Sequence, residues 1–231
     1  MTHPVTERPP GAPAGYRLKF PGSWWHLDLD PNTRDASIRR KVEAQVKNVP
    51  GLSREQVDTL VRDTRRTARD AYAQGALQAS GMLRVLNYSD GPVVLSATTI
   101  VLRVSVPEDQ SEDLADLVIA AAMQLGNEAE GSGLPVGEVE MVDLPMVGPA
   151  GRVTRIEEVD LKGRRVPTAM RHTLIPVPNS RDYLVLACST TSMNLAEQFY
   201  EVFDAIADSF HFEDPPTRTG EAPSSTEDTG K

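Results

Sequence analysis

Alternating apolar and polar residues indicate two short strands near the start of the chain. Residues 16–20 alternate and end at a Pro-Gly pair, and residues 24–29 alternate again. Leu27 and Leu29 then share one side of an extended chain, and the polar residues between them lie on the other. This pattern predicts two strands joined by a short turn.

The spacing of the apolar residues then changes to that of helices. Residues 34–49 carry apolar side chains at intervals of three and four, up to Pro50. Ser53 lies three residues before Gln56, the spacing of a capping box, and a second apolar face follows it. The sequence therefore predicts two consecutive helices within residues 34–79, the second of them long.

Strand patterns dominate the rest of the chain, with helices between them. Residues 93–106 are rich in β-branched side chains and partly apolar on both sides, which is typical of a central strand covered on both faces. Strands linked by hairpin turns, with helices between them, predict an α+β fold, a mainly antiparallel sheet packed by helices. The predicted strands are 81–89, 93–106, 138–144, 151–161, 165–178 and 183–190, and the predicted helices are 111–125 and 194–208.

The composition and net charge of the chain exclude several classes of protein. The chain has 231 residues and a formal net charge of -9, which argues against nucleic acid as a partner. Residues 1–14 and 214–231 are rich in proline and poor in apolar side chains, so we expect disordered tails around a single domain at 15–213. We find no apolar run long enough for a membrane span and no secretory signal pattern, and so predict a cytoplasmic protein.

The sequence carries no recognised catalytic arrangement. It has neither the G-x-S-x-G nucleophile elbow nor a phosphate-binding loop with its lysine. Cys188 is the single cysteine and lies in an apolar strand, where we expect a buried and inert thiol. We therefore predict no catalytic residue and no cofactor. The alternative is an enzyme or a small-ligand-binding protein with a site around His172, paired with a carboxylate on a neighbouring strand, or around His26.

One cluster has the residue types of a metal site. His26, Asp28 and Asp30 alternate along one predicted strand face, and the two aspartates resemble the start of an EF-hand loop. Thr33 stands where that loop needs glycine, however, and Arg39 stands where it needs a bidentate glutamate. We therefore predict a polar outer strand face and no metal site.

A basic helix face is a candidate surface for a protein partner. Residues 34–70 carry ten Lys or Arg and six Asp or Glu, a net charge of +4 on an acidic chain. Guanidinium groups bind carboxylates in a bidentate manner, but the acidic residues of the same helix are equally placed to pair with them. The candidate partner-binding arginines are Arg62, Arg65, Arg66 and Arg69.

The two tryptophans are a second candidate. Trp24 and Trp25 are adjacent in an alternating strand, so one ring is expected to face inward and the other outward. The outward ring would be a binding anchor for a partner, because exposed tryptophan is a frequent interface hot spot. The alternative is packing beneath a neighbouring element.

Two residue patterns frame the predicted domain. They are Tyr16-x-x-x-Phe20-Pro21-x-x-Trp24 at the first strand and Phe203-x-x-Ile206-x-x-Ser209-Phe210 at the end of the last helix. Together they resemble PsbP-like proteins, a family that includes Ran-binding Mog proteins and whose fold Lpq-type lipoproteins share. The resemblance implies a PsbP-like sandwich, in which the two helices of residues 34–79 are an insertion.

That resemblance also carries an expectation about function. Members of the fold are typically non-enzymatic accessory or binding proteins. The resemblance therefore implies a non-catalytic protein-interaction or accessory module of the bacterial cytoplasm, with a partner surface on residues 34–79. By analogy with bacterial relatives of the fold, a link to a specialised secretion system is a further expectation.

Overall fold

The computed structural model describes residues 13–47, 49, 52–88, 91–109, 111, 113–119, 137–160 and 165–213. The predicted tails fall outside this part of the chain except for residues 13 and 14. Residue 90 and residues 162–164, which separate predicted strands, also lie outside it, as do residues 120–125 of the predicted helix 111–125.

The described residues contain nine strands and four α-helices, joined by turns and loops. The strands are β1 (Gly15–Arg17), β2 (Trp25–His26), β3 (Gln78–Tyr88), β4 (Gly91–Ser105), β5 (Glu138–Leu144), β6 (Gly148–Asp160), β7 (Arg165–Pro176), β8 (Asp182–Thr190) and β9 (His211–Glu213). The helices are α1 (Arg34–Val46), α2 (Arg54–Ala73), α3 (described over residues 114–119) and α4 (Ala196–Asp208), the last preceded by a 3-10 turn at Met193–Leu195.

Seven of the strands form one antiparallel sheet in the order β2-β3-β4-β8-β7-β6-β5. Every neighbouring pair in it is antiparallel. This confirms the predicted α+β class and the mainly antiparallel sheet. β4 lies between β3 and β8 and is covered on both faces, as the pattern of residues 93–106 predicts.

Helices cover both faces of the sheet. On one face, which we call the α2 face, Ile38 of α1 and Val61 of α2 pack against Ala79 and Leu83 of β3. α3 packs farther along the same face, where Val118 contacts the β6 and β7 strands. On the opposite face, the apolar side of α4 packs against β4, β7 and β8.

The predicted pairing of the first two strands is wrong. β1 pairs with β9 in a separate two-stranded sheet, whereas β2 pairs with β3 in the large sheet. Apolar burial explains the difference, because the Tyr16 ring stacks on Phe210 with centroids 5.5 Å apart. Burial of an aromatic ring outweighs a hairpin between two short segments.

The helix boundaries follow their local signals. The predicted capping box is confirmed: Ser53 Oγ accepts from the Gln56 N–H at 3.2 Å, and Gln56 Oε1 accepts from the Ser53 N–H at 2.8 Å. α2 ends at Ala73, earlier than predicted, and Gly75 follows with a φ of 74°. Glycine adopts this left-handed conformation readily, so the helix stops and the chain turns into β3.

None of the helices in the described part of the chain combines the length and apolar composition that a membrane crossing requires.

Candidate functional site

A cleft of about 440 Å³ separates α2 from the sheet. Its roof is α2, and its floor is the α2 face of β3, β4, β8 and β7. A volume of this size lies in the range of small-molecule sites. The sheet contributes Gly81, Leu83, Val94, Ser96, Thr98, Ile100, Val159, Thr168, Met170 and Ser189, and α2 contributes Leu60, Asp63, Thr64, Arg66, Thr67, Asp70, Ala71 and Gln74.

Small residues leave this space between two packed layers. Ala71 is fully buried on the underside of α2, and Gly81 lies on the floor directly across from Trp25 of β2. A Cβ added to Gly81 would stand 3.1 Å from the carbonyl oxygen of Ala97 and 3.9 Å from Thr98 Oγ1. A side chain at position 81 would require the neighbouring backbone to move by a few tenths of an ångström, and glycine leaves the floor of the cleft free of side-chain atoms at this position.

Hydroxyl groups are the main polar feature inside the cleft. Thr98 of β4 and Ser189 of β8 lie directly opposite each other, and the described residues offer neither hydroxyl a hydrogen-bond partner. Ser96 Oγ lies 3.3 Å from Thr191 Oγ1 at one end of the cleft. The floor therefore combines apolar side chains with a few polar groups that can orient a ligand.

Charged residues of α2 lie at the rim of the cleft. Arg66 Nη2 donates to the backbone carbonyl of Asp160 at 3.2 Å, and Arg66 Nε lies 3.7 Å from Asp70 Oδ2. Asp63 lies one turn earlier on the cleft side of the helix. Arg66 thus links α2 to the end of β6 across the cleft, whereas the sequence suggested only a partner or an acidic residue of its own helix.

The other candidate arginines point elsewhere. Arg65 donates from Nε and Nη2 to the backbone carbonyl of Asp35, at 3.0 and 2.5 Å, and Arg69 Nη2 lies 2.6 Å from Asp35 Oδ2. These contacts tie α2 to α1, and the Arg69 hydrogen bond holds the pKa of Asp35 below its ordinary value. Arg62 is exposed on α2. Arg65, Arg66 and Arg69 therefore make contacts within the protein, and partner binding by the four arginines stays a prediction.

Both tryptophans are half-buried, and they lie on opposite sides of the sheet. Trp24 stacks on Phe20 with centroids 5.6 Å apart and packs towards α4. Trp25 packs against the α1–α2 core at one end of the cleft, with Lys41 Nζ 5.3 Å from its ring. Each ring packs partly against a neighbouring element, which was the alternative, and partner binding by either ring stays a prediction.

The polar residues that precede α1 form hydrogen bonds with one another in a turn. Asp28 accepts hydrogen bonds from the Asp30 N–H at 3.0 Å and from Thr33 Oγ1 at 2.8 Å, and Asp30 accepts from the Asn32 N–H at 2.9 Å. His26 Nδ1 lies 2.9 Å from Ser80 Oγ. Within the described ranges, no group of three His, Cys, Asp or Glu side chains has the arrangement of a metal site.

His172 and Cys188 lie away from the cleft lining. Burial of the imidazole and the nearby Arg155 guanidinium lower the pKa of His172 to about 4. The alternative hypothesis paired His172 with a carboxylate on a neighbouring strand, whereas the charged group that acts on the ring is the Arg155 guanidinium, which favours the neutral imidazole. Cys188 is buried on the α4 side beside Thr99, and burial raises the pKa of its thiol to about 12.

The cleft could not be predicted from the sequence, because its hydroxyl and charged side chains come from three strands, β4, β7 and β8, and from α2. Serine and threonine at alternate positions of β4, facing a serine on β8, were the available signal. That signal becomes visible only when the strand register is known.

Comparison with known proteins gives weak similarity to solved structures. No family model matches the chain, and no curated protein is similar to it. Among solved structures, the chain is similar to LpqN, described as involved in cell envelope biogenesis of Mycobacterium tuberculosis, with 13% sequence identity and a TM-score of 0.40. The match covers 88% of this chain and 86% of LpqN. This is a weak resemblance at the level of the fold.

Proposed function

We propose that this chain is a non-catalytic binding protein that holds a small amphipathic molecule in the cleft between α2 and the sheet. The observation that carries the proposal is the cleft itself, a space of about 440 Å³ with an apolar lining and hydroxyl groups on its floor. Binding sites for small molecules commonly combine an apolar surface with a few polar groups.

The side chains of the cleft favour binding over chemistry. Its described lining contains hydroxyls, carboxylates, one guanidinium, the Gln74 amide and the Trp25 indole, and it contains no histidine or cysteine. A nucleophile needs a base within hydrogen-bond reach, and Thr98 and Ser189 have no such neighbour among the described residues. The closest serine–histidine contact, between Ser80 and His26, involves a serine that is only 1% exposed.

A blocking variant tests this proposal. Thr98→Phe places a ring in the middle of the floor, and Val104→Phe places the same ring on the same strand and face, outside the cleft lining. We expect the neutral dye Nile red to bind the unmodified chain and Val104→Phe saturably at one site, and Thr98→Phe much more weakly. Binding that Thr98→Phe leaves unchanged, in a variant with a native melting curve, would contradict the proposal.

A protein partner on α2 is a second candidate function. Tyr72 is 52% exposed and Arg62 is exposed, and the two lie about 80° apart around the axis of α2. Tyrosine and arginine are enriched in interface hot spots, so the outer side of α2 suits an acidic protein surface. Arg54→Glu, at the start of α2, is the control. A protein that the unmodified chain and Arg54→Glu both capture, but that is lost equally from Arg62→Glu and Tyr72→Ala, would support this second function.

We also propose that the fold is PsbP-like and that the protein acts as an accessory module in the bacterial cytoplasm. The supporting observations are the residue patterns at both ends of the domain and the antiparallel sheet that carries the last helix on one face. An experimental structure whose sheet order differs from that of PsbP-like proteins would contradict the first part. Fractionation of the native cell tests the second.

A further inference from the structure

The helix α2, which roofs the cleft, is firmly held along one flank. On that flank, Val61 and Ala68 are buried in the apolar core that α2 shares with α1. Arg65 and Arg69 of the same flank both donate hydrogen bonds to Asp35 of α1. Apolar burial and charged hydrogen bonds therefore fix α2 to α1 together, and this flank is the costly one to separate.

The opposite flank of α2 is linked to the sheet by an exposed side chain. Each residue advances a helix by about 100°, so Arg66 lies about 140° from Val61 and about 160° from Ala68 around the axis. The Arg66 side chain is 46% exposed, and its Nη2 donates to the backbone carbonyl of Asp160, at the end of β6, at 3.2 Å. Asp70, which is 60% exposed, lies 3.7 Å from Arg66 Nε and favours this placement of the guanidinium.

Two threonines on the cleft side of α2 bond to their own helix. Thr64 Oγ1 donates to the carbonyl of Leu60 at 2.8 Å, and Thr67 Oγ1 donates to the carbonyl of Asp63 at 3.2 Å. These hydrogen bonds do not cross the cleft, so they survive if α2 tilts away from the sheet. The link from Arg66 to β6, in contrast, must break in such a movement.

We infer that Arg66 is a latch across the cleft and that its release, with α2 tilting on its α1 flank, controls how fast a ligand enters and leaves. This inference rests on the proposed function and names the regulation of its site. A hydrogen bond at the surface shifts an equilibrium between closed and open forms by roughly three- to tenfold. The flank that lacks buried apolar contacts opens first, because local opening follows the least stable contacts.

Rates of ligand exchange test the latch. Stopped-flow fluorescence of Nile red with the full chain gives the association and dissociation rate constants. Arg66→Ala should raise both by roughly three- to tenfold and change the dissociation constant by less than about twofold, because the latch acts on the empty and the filled protein alike. Arg62→Ala, an exposed arginine on the same helix outside the cleft lining, is the control and should change neither rate.

A second measurement needs no ligand. Thr98→Cys places a thiol on the floor of the cleft, whereas the native Cys188 is buried and its pKa is raised to about 12. Fluorescein-5-maleimide, a bulky reagent, should label Thr98→Cys at least about threefold faster when Arg66→Ala is added. Adding Arg62→Ala should not change the labelling rate. The melting curve of each variant verifies that the fold is intact.

The outcomes separate the latch from the proposed function. If Nile red binds in the cleft and Arg66→Ala changes neither the exchange rates nor the labelling rate, the cleft is a ligand site and the latch is wrong. A change in the dissociation rate alone, with a matching change in the dissociation constant, would show that Arg66 contacts the ligand and would also overturn the latch. If Nile red does not bind, the proposed function fails, and control of ligand exchange by Arg66 fails with it.

Discussion

Val118 of α3 rests directly on the backbone of Gly151 in β6. A Cβ added to Gly151 would stand 1.9 Å from Val118 Cγ2, well inside van der Waals contact, and Val118 is fully buried. We expect Gly151→Ala to lower the free energy of unfolding by about 1–3 kcal/mol, because an added methyl forces a packed helix away from the sheet. Urea denaturation measures this change.

Gly22 is the matched control for this substitution. A Cβ there would meet no heavy atom within 4 Å. Gly22→Ala should therefore change the free energy of unfolding by no more than about 0.5 kcal/mol. The double variant Gly151→Ala/Val118→Ala removes the opposing methyl groups, and it should recover part of the free energy of unfolding that Gly151→Ala loses. A double variant with fully additive losses would contradict the steric explanation.

Two arginines of α2 should differ in their effect on stability. Arg65→Ala removes the donors that bind the backbone carbonyl of Asp35, and we expect a loss of about 1–2 kcal/mol. Arg62→Ala removes an exposed side chain of the same helix and should change stability by less than about 0.5 kcal/mol. Thermal and urea unfolding compare the two. Equal losses of stability in the two variants would show that the contact between Arg65 and α1 contributes nothing to the free energy of unfolding.

His172 should make stability depend on pH. Its folded pKa of about 4 lies below the ordinary value of 6.5, so between these values the unfolded state binds more protons than the folded state. The free energy of unfolding therefore falls as pH drops from about 6.5 to 4, by up to about 3 kcal/mol, and does not change through this group above that range.

His172→Gln should remove that contribution. Urea unfolding at pH 7 and at pH 4.5 should show a smaller loss of stability in this variant than in the unmodified chain. Titration of the imidazole by NMR gives the folded pKa directly. A ring that takes up its proton near pH 6.5 in the folded protein would contradict the prediction.

Cys188 should resist thiol reagents while the protein is folded. The side chain is 3% exposed, and burial raises its pKa to about 12, so little thiolate forms at pH 8. We expect Ellman's reagent to label the folded chain at least about 100-fold more slowly than the chain in urea, because labelling requires opening of the sheet. Rapid stoichiometric labelling with a native circular dichroism spectrum would contradict this burial.

Local sequence patterns predicted the parts of the fold that depend on interactions between residues close together in the sequence. The Ser53–Gln56 capping box forms because its two hydrogen bonds join residues three positions apart. The apolar character of β4 on both faces predicted its central position, since only a covered strand tolerates such a pattern. The α+β class followed from the alternation of strand and helix patterns.

Contacts between distant segments could not be predicted in the same way. Arg69 was expected to face a partner or an acidic residue of its own helix, but its carboxylate is Asp35, 34 positions earlier on α1. The cleft depends on register in the same manner, because Thr98 and Ser189 become neighbours only when β4 and β8 pair. Residue spacing along one element holds no information about such pairs.

The pairing of β1 with β9 has a mechanical consequence. The Ala14 N–H donates to the Glu213 carbonyl at 2.7 Å, and three residue pairs join the two strands. A tension applied at residues 14 and 213 loads this short ribbon first, together with the contacts of Tyr16 and Phe212 with the core. The ribbon would therefore part at low force, ahead of the seven-stranded sheet, and a single-molecule stretching trace should show one small early step before the main rupture.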